Sequence, residues 1–229
     1  MKRYPIFVAV DTVSVERAKS IIGATANYVI GYKFGLEFFS SNKGRQAIKK
    51  FISRKIKIFL DLKLKDIPNT VYKTVLGLKD LKIDYLTVHA SGGYEMLKAA
   101  KKAQEETNKR LKLLAVTVLT SLTNNDLKAM GNNTTIQNHV QKLALLSKKA
   151  KIHGIVCSAH EIKTVRKINK RFEIVVPGIR VNKKKSEDQK RIMSPVQAIN
   201  TGANYLVIGR DITKGNIRNN IHKVLQFIK

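Results

Sequence analysis

The chain is short of cysteine, of glycine and proline, of acidic residues and of long apolar runs, and each shortage narrows what it can be. A single cysteine, Cys157, stands in 229 residues. No intramolecular disulfide and no cysteine-based zinc site can form, which fits a reducing compartment. Cys157 ends the apolar run Gly154-Ile155-Val156-Cys157 and reads as a small buried hydrophobe rather than a nucleophile. Glycine occurs 13 times and proline 4 times, against 43% hydrophobic residues. That is globular composition, not disorder. No linker rich in Pro, Gly or Ser divides the chain, so residues 1–229 are expected to form a single domain, large enough to bury a full core. No apolar stretch is long enough to span a bilayer. Lys2 and Arg3 before the apolar run Tyr4 to Val10 imitate a signal peptide, but Asp11 ends the run and no small-residue cleavage site follows. The run reads as a buried strand, and the protein is expected to be soluble and cytoplasmic, without a membrane partner.

Acidic residues number 16 against 44 basic ones, a net charge of +28. Such an excess raises nucleic-acid binding as a function. The lysines, however, are scattered through every segment, with only Lys183-Lys184-Lys185 as a short run, and the few aromatics do not alternate with basic residues as a stacking surface requires. Drift toward lysine in an AT-rich genome accounts for the same composition, and no specific nucleic-acid partner is expected. The chain also lacks a P-loop and a dinucleotide fingerprint. His89, His139, His153, His160 and His222 show no metal-ligand spacing. The expectation is no metal and no cofactor.

What the chain does have is alternation. Eight short apolar runs, Ile6–Val10, Tyr28–Lys33, Ile56–Lys63, Tyr85–His89, Leu113–Leu119, Gly154–Cys157, Glu173–Val176 and Tyr205–Ile208, are rich in Val, Ile and Leu. Strands buried on both faces look like this. Between them lie helical patterns at Val15–Ala24, Arg45–Ser53, Val71–Leu81, Tyr94–Glu106, Ile136–Ala150, Glu161–Asn169, Pro195–Thr201 and Ile217–Ile228. Ser14 suits an N-cap, and Pro68 and Pro195 stand near helix starts. Eight βα units in this length predict an α/β fold, a single (β/α)8 TIM barrel. An open doubly wound sheet would need a Gly-rich turn after its first strand. Here that turn is Asp11-Thr12-Val13-Ser14.

A TIM barrel carries its active site at the C-terminal ends of its strands. Those ends are unusually charged: Asp11, Lys33, Asp61, Lys63 and Asp66 converge on one mouth. Their signs alternate, so each offsets its neighbour's desolvation. Asp61 and Lys63 are two apart on a strand and are expected to share a face. The same pattern would suit a structural ion-pair network. After strand eight, Gly209-Arg210 is a phosphate site by position, because glycine lets the backbone approach and arginine offers a two-pronged donor. Pro177-Gly178-Ile179-Arg180 opens a polar stretch to Arg191 that could close over a ligand, with Arg180 and Gln189 able to hydrogen-bond a phosphate. His89 lies near the site but also suits a satisfied barrel residue.

At this point the residues match a family. Phe59-Leu60-Asp61-Leu62-Lys63-Leu64-Lys65-Asp66-Ile67-Pro68-Asn69-Thr70 resembles the signature of the orotidine 5'-phosphate decarboxylases. Val10-Asp11, Lys33-Phe34-Gly35-Leu36-Glu37, Val88-His89-Ala90-Ser91-Gly92-Gly93, Val118-Leu119-Thr120-Ser121, Val156-Cys157-Ser158, Pro177-Gly178-Ile179-Arg180, Asp188-Gln189 and Ile208-Gly209-Arg210 fall in that family's order and spacing. The whole chain resembles the short bacterial type. The resemblance implies cofactor-independent decarboxylation of orotidine 5'-phosphate to uridine 5'-phosphate, the last step of de novo pyrimidine synthesis. It implies that Lys63 protonates C6 of the pyrimidine as carbon dioxide leaves, that Asp61 sits beside the substrate carboxylate, and that Lys33 and Asp66 complete the charge network. Asp11, Lys33 and Thr70 would hold the ribose, and Thr120 and Ser121 the pyrimidine edge. Pro177, Arg180, Gln189, Gly209 and Arg210 would hold the phosphate or close over it. It further implies a homodimer in which Asp66, Ile67 and Thr70 serve the neighbouring subunit's substrate.

One departure is visible. The family usually has Pro after the Gly-Arg pair, where this chain has Asp211; a carboxylate beside a phosphate is expected to point to solvent. The competing enzyme reading is a magnesium-dependent sugar-phosphate relative, such as hexulose-phosphate synthase or ketogulonate-phosphate decarboxylase, which shares the barrel and the D-x-K-x-x-D pattern.

Overall fold

Each of the eight apolar runs is a strand. In the computed structural model, which describes residues 3–52, 56–181 and 191–228, they are β1 (Tyr4–Val10), β2 (Val29–Gly35), β3 (Lys57–Leu64), β4 (Tyr85–His89), β5 (Lys112–Val116), β6 (Gly154–Val156), β7 (Glu173–Val176) and β8 (Tyr205–Ile208). Neighbours in sequence pair in parallel, and β8 closes on β1. The fold is therefore the expected (β/α)8 barrel, and closure excludes the open doubly wound sheet. The helices are α1 (Val15–Thr25), α2 (Leu36–Phe39), α3 (Gly44–Phe51), α4 (Pro68–Gly77), α5 (Tyr94–Thr107), α6 (Asn124–Ala129), α7 (Ile136–Lys149), α8 (Ile162–Ile168), α9 (Pro195–Thr201), α10 (Arg210–Thr213) and α11 (Ile217–Gln226).

The caps explain several of these boundaries. The Ser14 hydroxyl accepts from the Arg17 amide at the start of α1. Pro68 and Pro195 each occupy a first helical turn, where the missing N–H is not needed. The helix expected over Val71–Leu81 instead begins at Pro68 and stops at Gly77, followed by a single 3-10 turn at Lys79–Leu81 and a left-handed Lys82. Helices α2, α6 and α10 have no counterpart in the sequence reading, because four to six residues are too few to show a helical period.

Two apolar layers result. The outward strand faces pack against the helices in one continuous core. Inside the barrel a second cluster comprises Phe7, Ala9, Phe59, Tyr85, Leu114, Val175 and Val207. Phe7 meets Phe59, Tyr85 and Tyr205 edge-to-face at 5.4, 5.4 and 5.5 Å, the arrangement that aromatic quadrupoles favour. At the N-terminal end the Lys57 ammonium lies 5.6 and 5.7 Å from the Tyr85 and Tyr205 rings. There Glu173 pairs with Lys112 and accepts from the Tyr85 hydroxyl at 2.9 Å. This plug fills the lower barrel and forms the base on which the opposite mouth is built. Among the described residues no helix is long and apolar enough to cross a membrane.

Candidate active site

The strand period of two carries the inward phase up from the plug. Above Ala9 comes Asp11, above Phe59 comes Asp61, above Val175 comes Pro177 and above Val207 comes Gly209. These residues line a cavity of about 350 Å³ at the C-terminal ends of the strands. Ala9, Phe59, Val116, Val156 and Val207 are its apolar lining, Asp11, Lys33, Asp61 and Lys63 one wall, Thr120 and Ser121 another, and Pro177 to Arg180 with Gly209 and Arg210 the remaining rim.

The charged wall is one connected network. Asp61 Oδ2 lies 2.8 Å from Lys63 Nζ and 3.4 Å from Lys33 Nζ, which is also 3.4 Å from Asp11 Oδ1. The side chains of Asp61 and Lys33 are only 10% and 12% exposed, whereas that of Lys63 is 32% exposed. Burial opposes the Asp61 charge, but Lys33 and Lys63, with hydrogen bonds from Lys63 and Thr87, outweigh it and hold its pKa below the ordinary carboxylate value. Burial likewise opposes the Lys33 ammonium, and Asp61 and Asp11 together hold its pKa above the ordinary lysine value. Asp61 and Lys33 are therefore both ionised at neutral pH, and the Asp61 carboxylate stands between two lysines.

Lys63 reaches this place differently from the strand geometry expected of it. Its backbone is left-handed, with φ at 50°. Pairing between β3 and β4 runs Phe59 to Tyr85 and Leu60 to Leu86, then resumes at Leu64 to Val88. Three residues of β3 thus face one residue of β4, Thr87. The Thr87 hydroxyl accepts from the Lys63 amide at 2.9 Å and donates to Asp61 Oδ1 at 2.9 Å. The sequence reading missed Thr87, although its place two residues beyond inward-facing Tyr85 marks it as an inward polar group.

At the opposite rim, Gly178 is left-handed at φ 75°. A short bridge forms beside it, with Arg180 N donating to Met193 O at 3.1 Å and Met193 N to Gly178 O at 3.3 Å. A Cβ at Gly209 would lie 3.4 Å from Ala9 Cβ and 3.5 Å from Asp11 Oδ2, in ordinary contact with the cavity wall. The expectation for Asp211 is overturned. Its carboxylate does not point to solvent: Oδ1 accepts from Arg180 Nη1 at 3.0 Å and Oδ2 from the Val181 amide at 2.8 Å. The cause is α10, whose first turn begins at Arg210 and brings the next side chain to the buried Arg180 guanidinium.

A second residue missed by the sequence reading is Arg191. Its guanidinium pairs with buried Glu161 at 2.6 Å and donates to the carbonyls of Val118 and Leu119 at 3.3 and 3.0 Å. It thereby fixes the turn that presents Thr120 and Ser121. Glu161 sits in the 3-10 turn after β6, far away in sequence, so no local pattern reveals the pair.

Three expected site residues are not brought to this cavity by their own chain. Asp66 and Ile67 lie on the exposed stretch leading into α4 and Thr70 in its exposed first turn, with Asp66 Oδ1 accepting from the Ile67 amide at 2.7 Å and Ile67 67% exposed. Gln189 lies outside the described residues. Cys157 lines the cavity but is 1% exposed, and burial pushes its thiol far up; it is an inert wall. Burial, with Lys63 and Lys65, lowers the His89 pKa and keeps its imidazole neutral at pH 7. Among the described residues no group of three or more His, Cys, Asp or Glu side chains is placed to hold a metal ion.

Comparison with known proteins gives a consistent picture. Residues 4–222 match the model of the orotidine 5'-phosphate decarboxylase / HUMPS family. The orotidine 5'-phosphate decarboxylase of Wolbachia pipientis is 45% identical over 213 residues, 93% of this chain and 92% of that protein. That of Malacoplasma penetrans is 39% identical over 228 residues, 99% of this chain and 97% of its own. The crystal structure of the Lactobacillus acidophilus orotidine 5'-phosphate decarboxylase superposes with a TM-score of 0.84 at 32% identity, covering 100% of both chains.

Proposed function

Because the chain belongs to the orotidine 5'-phosphate decarboxylase / HUMPS family, we propose that it converts orotidine 5'-phosphate to uridine 5'-phosphate and carbon dioxide, the step that completes uridylate synthesis. The observation that carries this reading is the buried Lys33–Asp61–Lys63 network on one wall of the cavity, opposite a rim bearing Arg180, Gly209 and Arg210. Loss of carbon dioxide from C6 leaves a vinyl carbanion that the ring delocalises poorly. A fixed ammonium offsets that charge and then supplies the proton. Lys63 suits this role, being partly open to the cavity and held against Asp61. Asp61 lies where the substrate carboxylate would sit and gains relief as carbon dioxide departs. Lys33 keeps Asp61 ionised and, with Asp11, meets the ribose hydroxyls. Thr120 and Ser121 take the pyrimidine edge, and Pro177, Arg180, Gln189, Gly209 and Arg210 the phosphate. Phosphate binding, remote from the broken bond, contributes orientation.

The reading extends to a cytoplasmic homodimer of one-domain chains. Asp66, Ile67 and Thr70 stand exposed after β3, as Val13 does after β1 and Leu36 at the start of α2 after β2, the neighbouring strands of the barrel. A second copy covering this apolar edge would carry its own Asp66 and Thr70 into the partner's cavity, and Asp66 would complete the alternating network there. Purified protein tests the activity directly, by loss of orotidine 5'-phosphate absorbance with EDTA present. Chelator-resistant turnover is expected. Absence of turnover, or turnover only with added magnesium, overturns the reading in favour of a sugar-phosphate relative.

A further inference from the structure

We infer that Thr87 is a positioning residue for the proton donor. Its one hydroxyl fixes both the backbone that carries Lys63 and the carboxylate that Lys63 faces. The inference rests on the role proposed for Lys63.

The argument begins with the interrupted ladder. Asp61, Leu62 and Lys63 together stand opposite Thr87 alone. A strand with two surplus residues leaves amides without carbonyl partners, and an unpaired buried N–H is costly. The Lys63 amide finds its partner in a side chain, Thr87 Oγ1, at 2.9 Å. A hydroxyl has one proton. Since Oγ1 accepts from the amide, that proton is available to Asp61 Oδ1 at 2.9 Å. The other oxygen of the same carboxylate receives the Lys63 ammonium at 2.8 Å. The contacts therefore close a ring: Thr87 hydroxyl, Lys63 backbone, Lys63 side chain, Asp61 carboxylate, and back to Thr87.

Two features make the hydroxyl hard to replace. Thr87 is 0% exposed, so water has no route to substitute for it. Lys63 is held at φ 50°, a conformation that a non-glycine residue keeps only where its surroundings enforce it. Without the hydroxyl, the Lys63 backbone can relax and Asp61 loses the donor that orients it. Thr87 is not among the residues that line the cavity; it acts through Lys63 and Asp61.

The test compares Thr87→Val, Thr87→Ala and Thr87→Ser in the full chain. Valine keeps shape and removes the hydroxyl, alanine leaves space, and serine restores the hydroxyl. Misplacement of a reacting group by about 1 Å can cost ~10²-fold, so kcat of Thr87→Val should fall by roughly that factor while KM changes by less than about 3-fold. Thr87→Ser should recover most of the rate. Asp61 should titrate at higher pH in Thr87→Val, because its ionised form loses a donor. Carbon-13 NMR of the Asp61 carboxyl reads that shift without any turnover. Wild-type kcat in Thr87→Val or Thr87→Ala, or an Asp61 titration unchanged by either, overturns the inference. So does a Thr87→Ser protein that melts like wild type yet is as slow as Thr87→Val. Should the wild type itself lack decarboxylase activity, the proposed function falls, and the NMR titration still decides whether Thr87 orients Asp61.

Discussion

Replacing Lys63 by alanine and by glycine should separate catalysis from folding in opposite ways. Both variants lose the ammonium. Removing a general acid costs ~10²–10⁴ in rate, and more where the same group stabilises developing charge, so both should be nearly inactive. Their stabilities should differ. The Lys63 side chain is about one-third exposed, so its pair with Asp61 is screened and worth about 1 kcal/mol at most. Asp61 keeps Lys33 and Thr87 as partners in either variant. Backbone conformation matters more. A left-handed residue with a Cβ costs roughly 1–2 kcal/mol, which alanine retains and glycine removes. Glycine gives back about 0.4–1 kcal/mol through the greater freedom of the unfolded chain. The glycine variant should therefore be more stable than the alanine variant by about 0.5–1 kcal/mol, a shift of roughly 1–4 °C in melting temperature for a chain of this size. Urea or thermal melts on the two proteins, with turnover measured alongside, decide the matter. A glycine variant no more stable than the alanine one refutes the claim that strain is stored at this lysine. Near-normal turnover by either refutes the proton-donor role.

The other expectations concern the rest of the network, the rim and the partner. Lys33→Met breaks a buried pair and should cost about 3 kcal/mol, the low end of the usual range because Lys63 still holds Asp61. The folded pKa of Asp61 is lowered, so its stabilisation is present above its unfolded value and lost as pH falls through the folded one. That of Lys33 is raised, so its share is full below the ordinary lysine value and lost as pH rises through the folded one. The deficit of the variant should thus be greatest around neutrality and shrink toward both extremes, and a pH-independent deficit would count against the ion pair. Arg210→Ala should cost phosphorylated substrate roughly 1.5–3 kcal/mol and leave free orotidine nearly unaffected; equal losses would place the phosphate elsewhere. Asp211→Asn keeps an acceptor for Val181 but removes the charge that competes for Arg180. It should tighten uridine 5'-phosphate binding, by up to ~10-fold, as read by calorimetry, and weaker binding would instead make Asp211 a support for that guanidinium. Mixing inactive Lys63→Ala and Asp66→Ala proteins after dissociation should revive about a quarter of all sites, since half the dimers are mixed and one site in each takes an intact residue from either chain; no recovery beyond the average of the two would disprove shared sites.

The barrel was legible because its strands are buried on both faces and its helices on one, and both states write a period into the sequence. Asp11, Lys33, Asp61 and Lys63 were legible for the same reason: each lies at or beside the end of a run, where the barrel mouth must be. What escaped is the pairing of particular side chains, which no period records. Thr87 reads as one more β-branched strand residue, and only the surplus of β3 opposite it gives the hydroxyl two partners. Asp211 pairs with a residue 31 positions earlier, and Arg191 with carbonyls more than seventy positions earlier. Such contacts are set by how loops fold over the rim, and α10, the element that aims Asp211, is too short to show a pattern.

The irregular features also share a location and a logic. The left-handed lysine, the interrupted ladder and the buried Asp61 all lie at the top of β3, directly above Phe59, with Lys33 beside them on β2. Buried ions carry a desolvation penalty of several kcal/mol each, and a strained backbone adds one or two more. Local structure cannot hold such a site by itself. Below it, Phe7, Phe59 and Tyr85 interlock edge-to-face at 5.4 to 6.1 Å, and burying each ring contributes about 1.5–3 kcal/mol or more. That packed floor leaves β3 little room to relax downward, so the surplus residues bulge toward the mouth. Lys63 is delivered to the cavity by the rigidity beneath it, and Thr87 and Asp61 determine where its ammonium stops.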